Sequence, residues 1–304
     1  MILQVLLPLL LLVSQQPGTS ASQTPGAGAA PSAGRLKQII PGHYVYSTTN
    51  AGRLFSSGII VTREGALVID ALDSDAGARA ERESITNAAK QPVRYLVSSS
   101  FHDPFSKGNT AYADVIKIGH ENYRAGLLDQ MQRGGVSVDE QRARLPSATF
   151  RDRLTVHVGG KEIQILHVGR AHTPGDSIVF VPEDRIAYLS EMFFSEEFPN
   201  MAQGYGVSWL RALDSIEALG ADIFVPGHGP MPDDPKATRA GVHRMRQILV
   251  DARDAIQGEI ARGASEDQAV AAVKLPQYDK LPGYAAQREV AVRRMYKELT
   301  GQLP

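Results

Sequence analysis

From Tyr44 onward the chain is written as short β-branched and aromatic runs, broken by Gly, Asn and Pro and alternating with stretches of helical period. Runs at Tyr44 to Thr48, Ser57 to Val61 and Ala66 to Ile69 read as strands. Asp73 to Lys90 then carries Ala, Ile and Glu at helical spacing, and Val93 to Val97 returns to strand composition. Val115 to Gly119 follows as a strand and Glu121 to Arg133 as a helix. Two hairpins come next: Leu154 to Val158 with Glu162 to Val168, turned at Gly159-Gly160, and Ser177 to Val181 with Arg185 to Leu189, turned at Pro182-Glu183-Asp184. Gly206 to Leu219 reads as a helix leading into a buried strand, Ile223 to Val225. Such alternation requires a layered α/β fold.

The C-terminal part differs in texture. In Val242 to Ile260, the residues Met245, Ile248, Leu249, Ala252, Ile256 and Ile260 fall on one stripe, as a helix packed on a sheet requires. Ser265 with Gln268 forms a capping box for a further short helix, and Ala285 to Leu299 makes a last one. With no repeat and no second linker, residues 42–304 read as one domain whose helical extension begins near 235.

Residues 1–34 contain no charged side chain, and Ile2 to Val13 are apolar apart from Gln4 and Pro8. Roughly twelve residues are too few to span a ~30 Å hydrocarbon layer as a helix but suit the core of a secretory signal. Small residues at Thr19-Ser20-Ala21 supply a cleavage point, although no Lys or Arg precedes the apolar run. Residues 1–21 are therefore read as a signal peptide and 22–41 as a flexible linker, since Ser22 to Gly34 is mostly Gly, Ala, Pro and Ser. A periplasmic or secreted protein, without a stable membrane span after cleavage, is expected.

The chain has 304 residues, no Cys and a formal charge of −1. Lack of Cys excludes disulfides, thiolate metal sites and Cys nucleophiles. Near-neutral charge offers no field for nucleic acid or for anionic lipid, which leaves a small-molecule substrate or ligand as the expected partner. Nothing in the sequence reports oligomeric state.

Four polar residues share one address. His102 follows the strand Val93 to Val97, His172 follows Glu162 to Val168, Glu191 follows Arg185 to Leu189, and His228 follows Ile223 to Val225. Loops at strand ends are where α/β proteins place ligand and catalytic groups. Three imidazoles and a carboxylate converging there suit a divalent metal such as zinc. Zinc ligation would bring donors within ~3 to 4 Å of one another.

The segments Gly169-Arg-Ala-His172-Thr-Pro-Gly-Asp176, Tyr188-Leu-Ser-Glu191-Met-Phe-Phe194 and Val225-Pro-Gly-His228-Gly-Pro230, with Ala66-Leu-Val-Ile-Asp70 before them, resemble successive motifs of the metallo-β-lactamase superfamily. The resemblance covers Gly42 to the C-terminus. It implies an α/β (α+β) fold, an αββα sandwich with a site along one sheet edge, here carrying C-terminal helices. It also exposes a departure. Where the family has His-x-His-x-Asp-His, this chain has Ser100-Phe-His102-Asp-Pro104-Phe105, so that Ser100, Pro104 and Phe105 replace two histidines and an aspartate, and Glu191 stands for the bridging aspartate.

The family's first metal position would keep His102 and His172, with Glu191 as a third donor; the second would keep only Glu191 and His228. Two good ligands do not hold a catalytic zinc tightly, so a dinuclear centre is not expected, and at most one Zn²⁺ or other divalent ion per chain is. Two functional readings follow. One is a mononuclear metal-dependent hydrolase of an ester, thioester, lactone or amide, whose attacking water has lost its usual aspartate. The other is a non-catalytic binding or scaffold protein that has given up the dinuclear site. His43, His120, His157, His167 and His243 are read as structural or surface residues, and Tyr278, Tyr284 and Tyr296 as packing. Ser98 to Ser100 lack a nucleophile elbow, and Gly204-Tyr-Gly206 is no dinucleotide fingerprint, because Trp209 takes the third glycine's place.

Overall fold

The computed structural model describes residues 34–303; the signal and most of the linker read from the sequence lie outside them. Strands β1 (Arg35–Ile40), β2 (His43–Asn50), β3 (Arg53–Thr62) and β4 (Gly65–Ile69) form an antiparallel meander. Helix α1 (Asp75–Ala89) crosses over to β5 (Val93–Ser98), parallel to β4. A short helix α2 (Asp103–Ser106) and a 3₁₀ segment at Lys107–Tyr112 lead to β6 (Ile116–His120). Helices α3 (Glu121–Arg133) and α4 (Val138–Arg144) and the short strand β7 (Ala148–Phe150) complete this half. Hairpins β8 (Arg153–Val158) with β9 (Lys161–Leu166) and β10 (Ile178–Val181) with β11 (Ile186–Phe194) follow, then α5 (Gly206–Ala218), β12 (Ile223–His228), α6 (Thr238–Ala261), α7 (Glu266–Ala272) and α8 (Tyr284–Leu299).

Hydrogen bonding links the strands in the order β7-β6-β5-β4-β3-β12-β11-β10-β9-β8, with β1 and β2 continuing from β3. Only one rung, His228 opposite Phe55, joins β12 to β3. The ribbon folds back on itself there. Val45, Ile60, Leu67 and Val97 of one half meet Ile163, Ile165, Val179 and Val225 of the other in a single buried cluster. Outside the first half, α1 buries Ala78 and Ile85 against Val68 and Leu96. Outside the second half, α5, α6 and α8 bury Trp209, Leu213, Leu249 and Val292 against Leu189 and Phe224. This gives the helix, sheet, sheet, helix layering of an αββα sandwich.

The strands and long helices read from the sequence are present, as is the capping box at Ser265 and Gln268, while β7 and α4 are elements the sequence reading did not place. One boundary is corrected. Residues 35–40, read as part of the linker, form β1 paired with β2 from Arg35 opposite Ser47 to Ile40 opposite His43. Its half-exposed, charge-bearing edge has no clear apolar alternation to announce it. No helix among the described residues is long and apolar enough to cross a membrane.

Candidate metal centre

The four strand-end residues meet around Glu191. His102 stands at the N-cap of α2 just past β5, His172 in the turn after β9, Glu191 on β11 and His228 at the end of β12. Glu191 is buried, and its Oε2 accepts from His102 Nδ1 (2.6 Å) and from the Ser100 hydroxyl. Its Oε1 lies 3.2 Å from His228 Nε2. His172 Nδ1 lies 3.2 Å from Glu191 Oε2. Yet among the described residues neither His172 ring nitrogen makes a well-aligned hydrogen bond, although both are buried. One donor atom from each of His102, His172 and Glu191 can be chosen so that all lie within 4.8 Å of one another, and His228 joins through Glu191.

The backbone explains how a carboxylate on a central strand turns toward a loop-built site. Ala187 and Leu189 of β11 face the helical layer, and strict alternation would send Glu191 the same way. Ser190 instead takes a left-handed φ of 49°, and the pairing of β11 with β12 shifts register on either side of it. Such a bulge re-aims the next side chain. Gly227 permits the close approach of β12, since a Cβ there would stand 2.4 Å from the Ser190 carbonyl carbon.

Asp70 holds the bulge. It is buried at the end of β4 with φ 66°, and accepts from Ser99 N (2.8 Å), the Ser99 hydroxyl (2.6 Å) and the Ser190 hydroxyl. One side chain thus ties β4, β5 and β11 together beside the donors. Asp70 closes the run Ala66-Leu-Val-Ile-Asp70 with no role legible in the motif alone; its position at the end of an apolar strand is the signal that could have found it. Asp176 does similar work in the His172 loop, accepting from Thr173 N at 2.6 Å and from the Thr173 hydroxyl.

The substituted positions have definite surroundings. Phe105 is fully buried, its ring 5.2 Å from His228 and 6.0 Å from Phe55. Phe194 stacks on the other side of His228, with centroids 4.2 Å apart and planes 7° apart. His228 is therefore set in an aromatic box, its Nδ1 buried without a hydrogen-bond partner among the described residues, and burial lowers its pKa. Pro104 offers no acceptor. Asp103, one residue out of register, does not substitute for the missing aspartate, because it accepts from Gln130 Nε2 (2.9 Å) and pairs with Lys107 (3.0 Å).

Electrostatics follow from Glu191. Burial works against charge on both Glu191 and His102, yet the imidazoles hold the carboxyl well below its usual range, and the carboxylate lifts His102 to about 9. Elsewhere, His43 is buried between the Tyr188 hydroxyl (3.0 Å) and Asp184 (2.7 Å), and His120 stacks on His167 at 3.9 Å.

Residues 52–228 match the profile of the metallo-beta-lactamase superfamily. The chain is 25% identical over 274 residues to a linear primary-alkylsulfatase of Pseudomonas sp., covering 74% of this chain and 51% of that protein. It is 22% identical over 169 residues to the 2,4-dinitroanisole O-demethylase subunit alpha of Nocardioides sp., covering 54% and 49%. It thus spans about half the length of these two relatives. A type 2 metallo-beta-lactamase of Bacteroides fragilis is 23% identical over 185 residues, covering 59% of this chain and 70% of that one. Among solved structures, a metallo-beta-lactamase from Pontibacter korlensis superposes with a TM-score of 0.61 at 21% identity, over 71% of this chain and 98% of that one. The metallo-beta-lactamase FIM-1 from Pseudomonas aeruginosa, in its mono-zinc form, gives 0.61 at 16% identity, over 72% and 96%. At such identities the structures speak to fold alone. Profile, fold and motif order agree: the chain belongs to the metallo-β-lactamase superfamily.

Proposed function

We propose that this protein is a hydrolase working with one divalent metal ion, held by His102, His172 and Glu191 with His228 alongside, and acting on an ester, thioester, lactone or amide. The observation that carries the reading is His172. Burying an imidazole with Nε2 unsatisfied and Nδ1 held only by a 3.2 Å contact to Glu191 is costly, and a cation at that point relieves the cost while drawing on a neighbouring imidazole and carboxylate. The 4.8 Å limit is wider than the ~4 Å separation of donors around zinc, so binding draws the three side chains together.

When bound, such an ion supplies Lewis acidity and a water of lowered pKa. The rest falls to the chain. Ser100 donates to Glu191 and fixes its Oε2, and Glu191 in turn orients His102. Asp103 is engaged away from the centre, so proton acceptance falls to His228, whose Nε2 faces Glu191 Oε1 at 3.2 Å. Phe105 and Phe194 keep water from the His228 side.

Elemental analysis of the purified protein tests this. About one equivalent of zinc, iron or manganese is expected, lost in His172→Ala together with hydrolysis of p-nitrophenyl acetate. Metal well below one equivalent, unchanged by that substitution, refutes it. The second reading, a non-catalytic binding protein, draws on the hydrogen bonds by which Ser100 and His102 already satisfy Glu191; it predicts that latter outcome. We also assign the protein to the periplasm or the medium, on the strength of its uncharged apolar first residues, which N-terminal sequencing of the exported form would check.

A further inference from the structure

Beside the donor set runs a cleft of about 810 Å³. Phe101 and Arg170, which directly precede or nearly precede His102 and His172 in the chain, line its wall. The Phe101 ring lies 5.0 Å from that of His102. The cleft is basic although the chain as a whole carries −1: among the described residues Arg133, Arg170 and Arg294 line it with one carboxylate, Asp129, which pairs with Arg133 at 2.7 Å. These arginines come from three separate segments, α3, the loop after β9, and α8. Two of them converge on a single ring, with the guanidinium carbons of Arg170 and Arg294 4.5 and 5.3 Å from the centre of Tyr205. Arg294 is fixed there by donating to the carbonyls of Gln203 and Gly204, each at 3.1 Å. Two guanidinium groups on one face present their donors in the planar geometry that an oxyanion accepts. A concave wall of one charge sign also concentrates anions.

We propose that this cleft binds a compact oxyanion of the substrate, a sulfate, phosphate or carboxylate, with Arg170 and Arg294 as its principal partners and Arg133 at the rim. The bound molecule's role as substrate rests on the hydrolase reading; the binding itself does not. Isothermal titration of the full chain with sodium sulfate, sodium phosphate and sodium acetate, at ionic strength held constant with chloride, distinguishes the three. Saturable binding of at least one is expected, weakened about tenfold or more in Arg170→Gln and Arg294→Gln and partly kept in Arg294→Lys. Because Arg294→Gln also releases two loop carbonyls, Arg133→Gln on the exposed end of α3 is the second variant, expected to weaken binding several-fold. Absence of saturable binding, or equal affinity in all the glutamine variants, overturns the proposal. Hydrolysis of neutral p-nitrophenyl acetate separates the two readings: its absence with anion binding intact sinks the hydrolase alone, and its presence with no anion binding sinks the anion site alone.

Discussion

Glu191 is the residue on which the centre turns, since both of its oxygens are engaged and three histidines and a serine surround it. Glu191→Gln keeps the shape and removes the charge. Zinc affinity, measured by competition with a chromophoric chelator, should fall about 10- to 100-fold, with the fold intact by circular dichroism. The candidate donors were legible in the sequence because each is a polar residue closing an apolar run. What could not be read is which way each side chain points. Asp103 resembles a displaced catalytic aspartate until Gln130 and Lys107 are seen to hold it, and the left-handed Ser190 that turns Glu191 inward has no mark in a sequence where serine fits many conformations.

At the scale of elements, one carboxylate of the C-terminal extension caps α5. Helix α5 has no side-chain cap of its own; Glu298 of α8 instead accepts from Val207 N (2.8 Å), Ser208 N (2.9 Å) and the Ser208 hydroxyl (2.8 Å). Glu298→Ala should cost about 1 to 2 kcal/mol in urea unfolding and weaken oxyanion binding, because Tyr205 and Gln203 lie just ahead of that helix end. Gly227→Ala is expected to be more damaging, since a methyl group there meets the backbone of the bulge; lowered metal content and a lower melting temperature would both report it. Helices α6 and α8 were evident from their apolar stripes and α7 from its capping box, but the capping of α5 by a residue some ninety positions away was not, because tertiary hydrogen bonds leave no local pattern. For the same reason β1 escaped notice: an edge strand with one neighbour needs little apolar content.

For the whole molecule, buried acids set the response to pH. Glu81, on the buried face of α1, accepts from the Tyr112 hydroxyl at 2.7 Å, and burial pushes its carboxyl up to about 8. Burial likewise raises Asp70 to about 7 and Asp176 to about 6. Each folded-state pKa stands above its unfolded value, so between the two the native chain holds protons that the unfolded chain has lost, and stability falls as pH rises through that window. For Glu81 the window runs from about 4.5 to about 8 and is worth up to about 5 kcal/mol. Urea midpoints at pH 5 and pH 8 should differ in this direction, and Glu81→Gln should shrink the difference. The layered architecture itself follows from the alternation of strand and helix, but the point where the ribbon folds back does not show in any run of residues. That point is the lone rung between Phe55 and His228. Because one residue is the stitch between the two halves through its backbone and a member of the candidate metal cluster through its ring, any parting of the halves would be felt first by that cluster, well before the protein as a whole came undone.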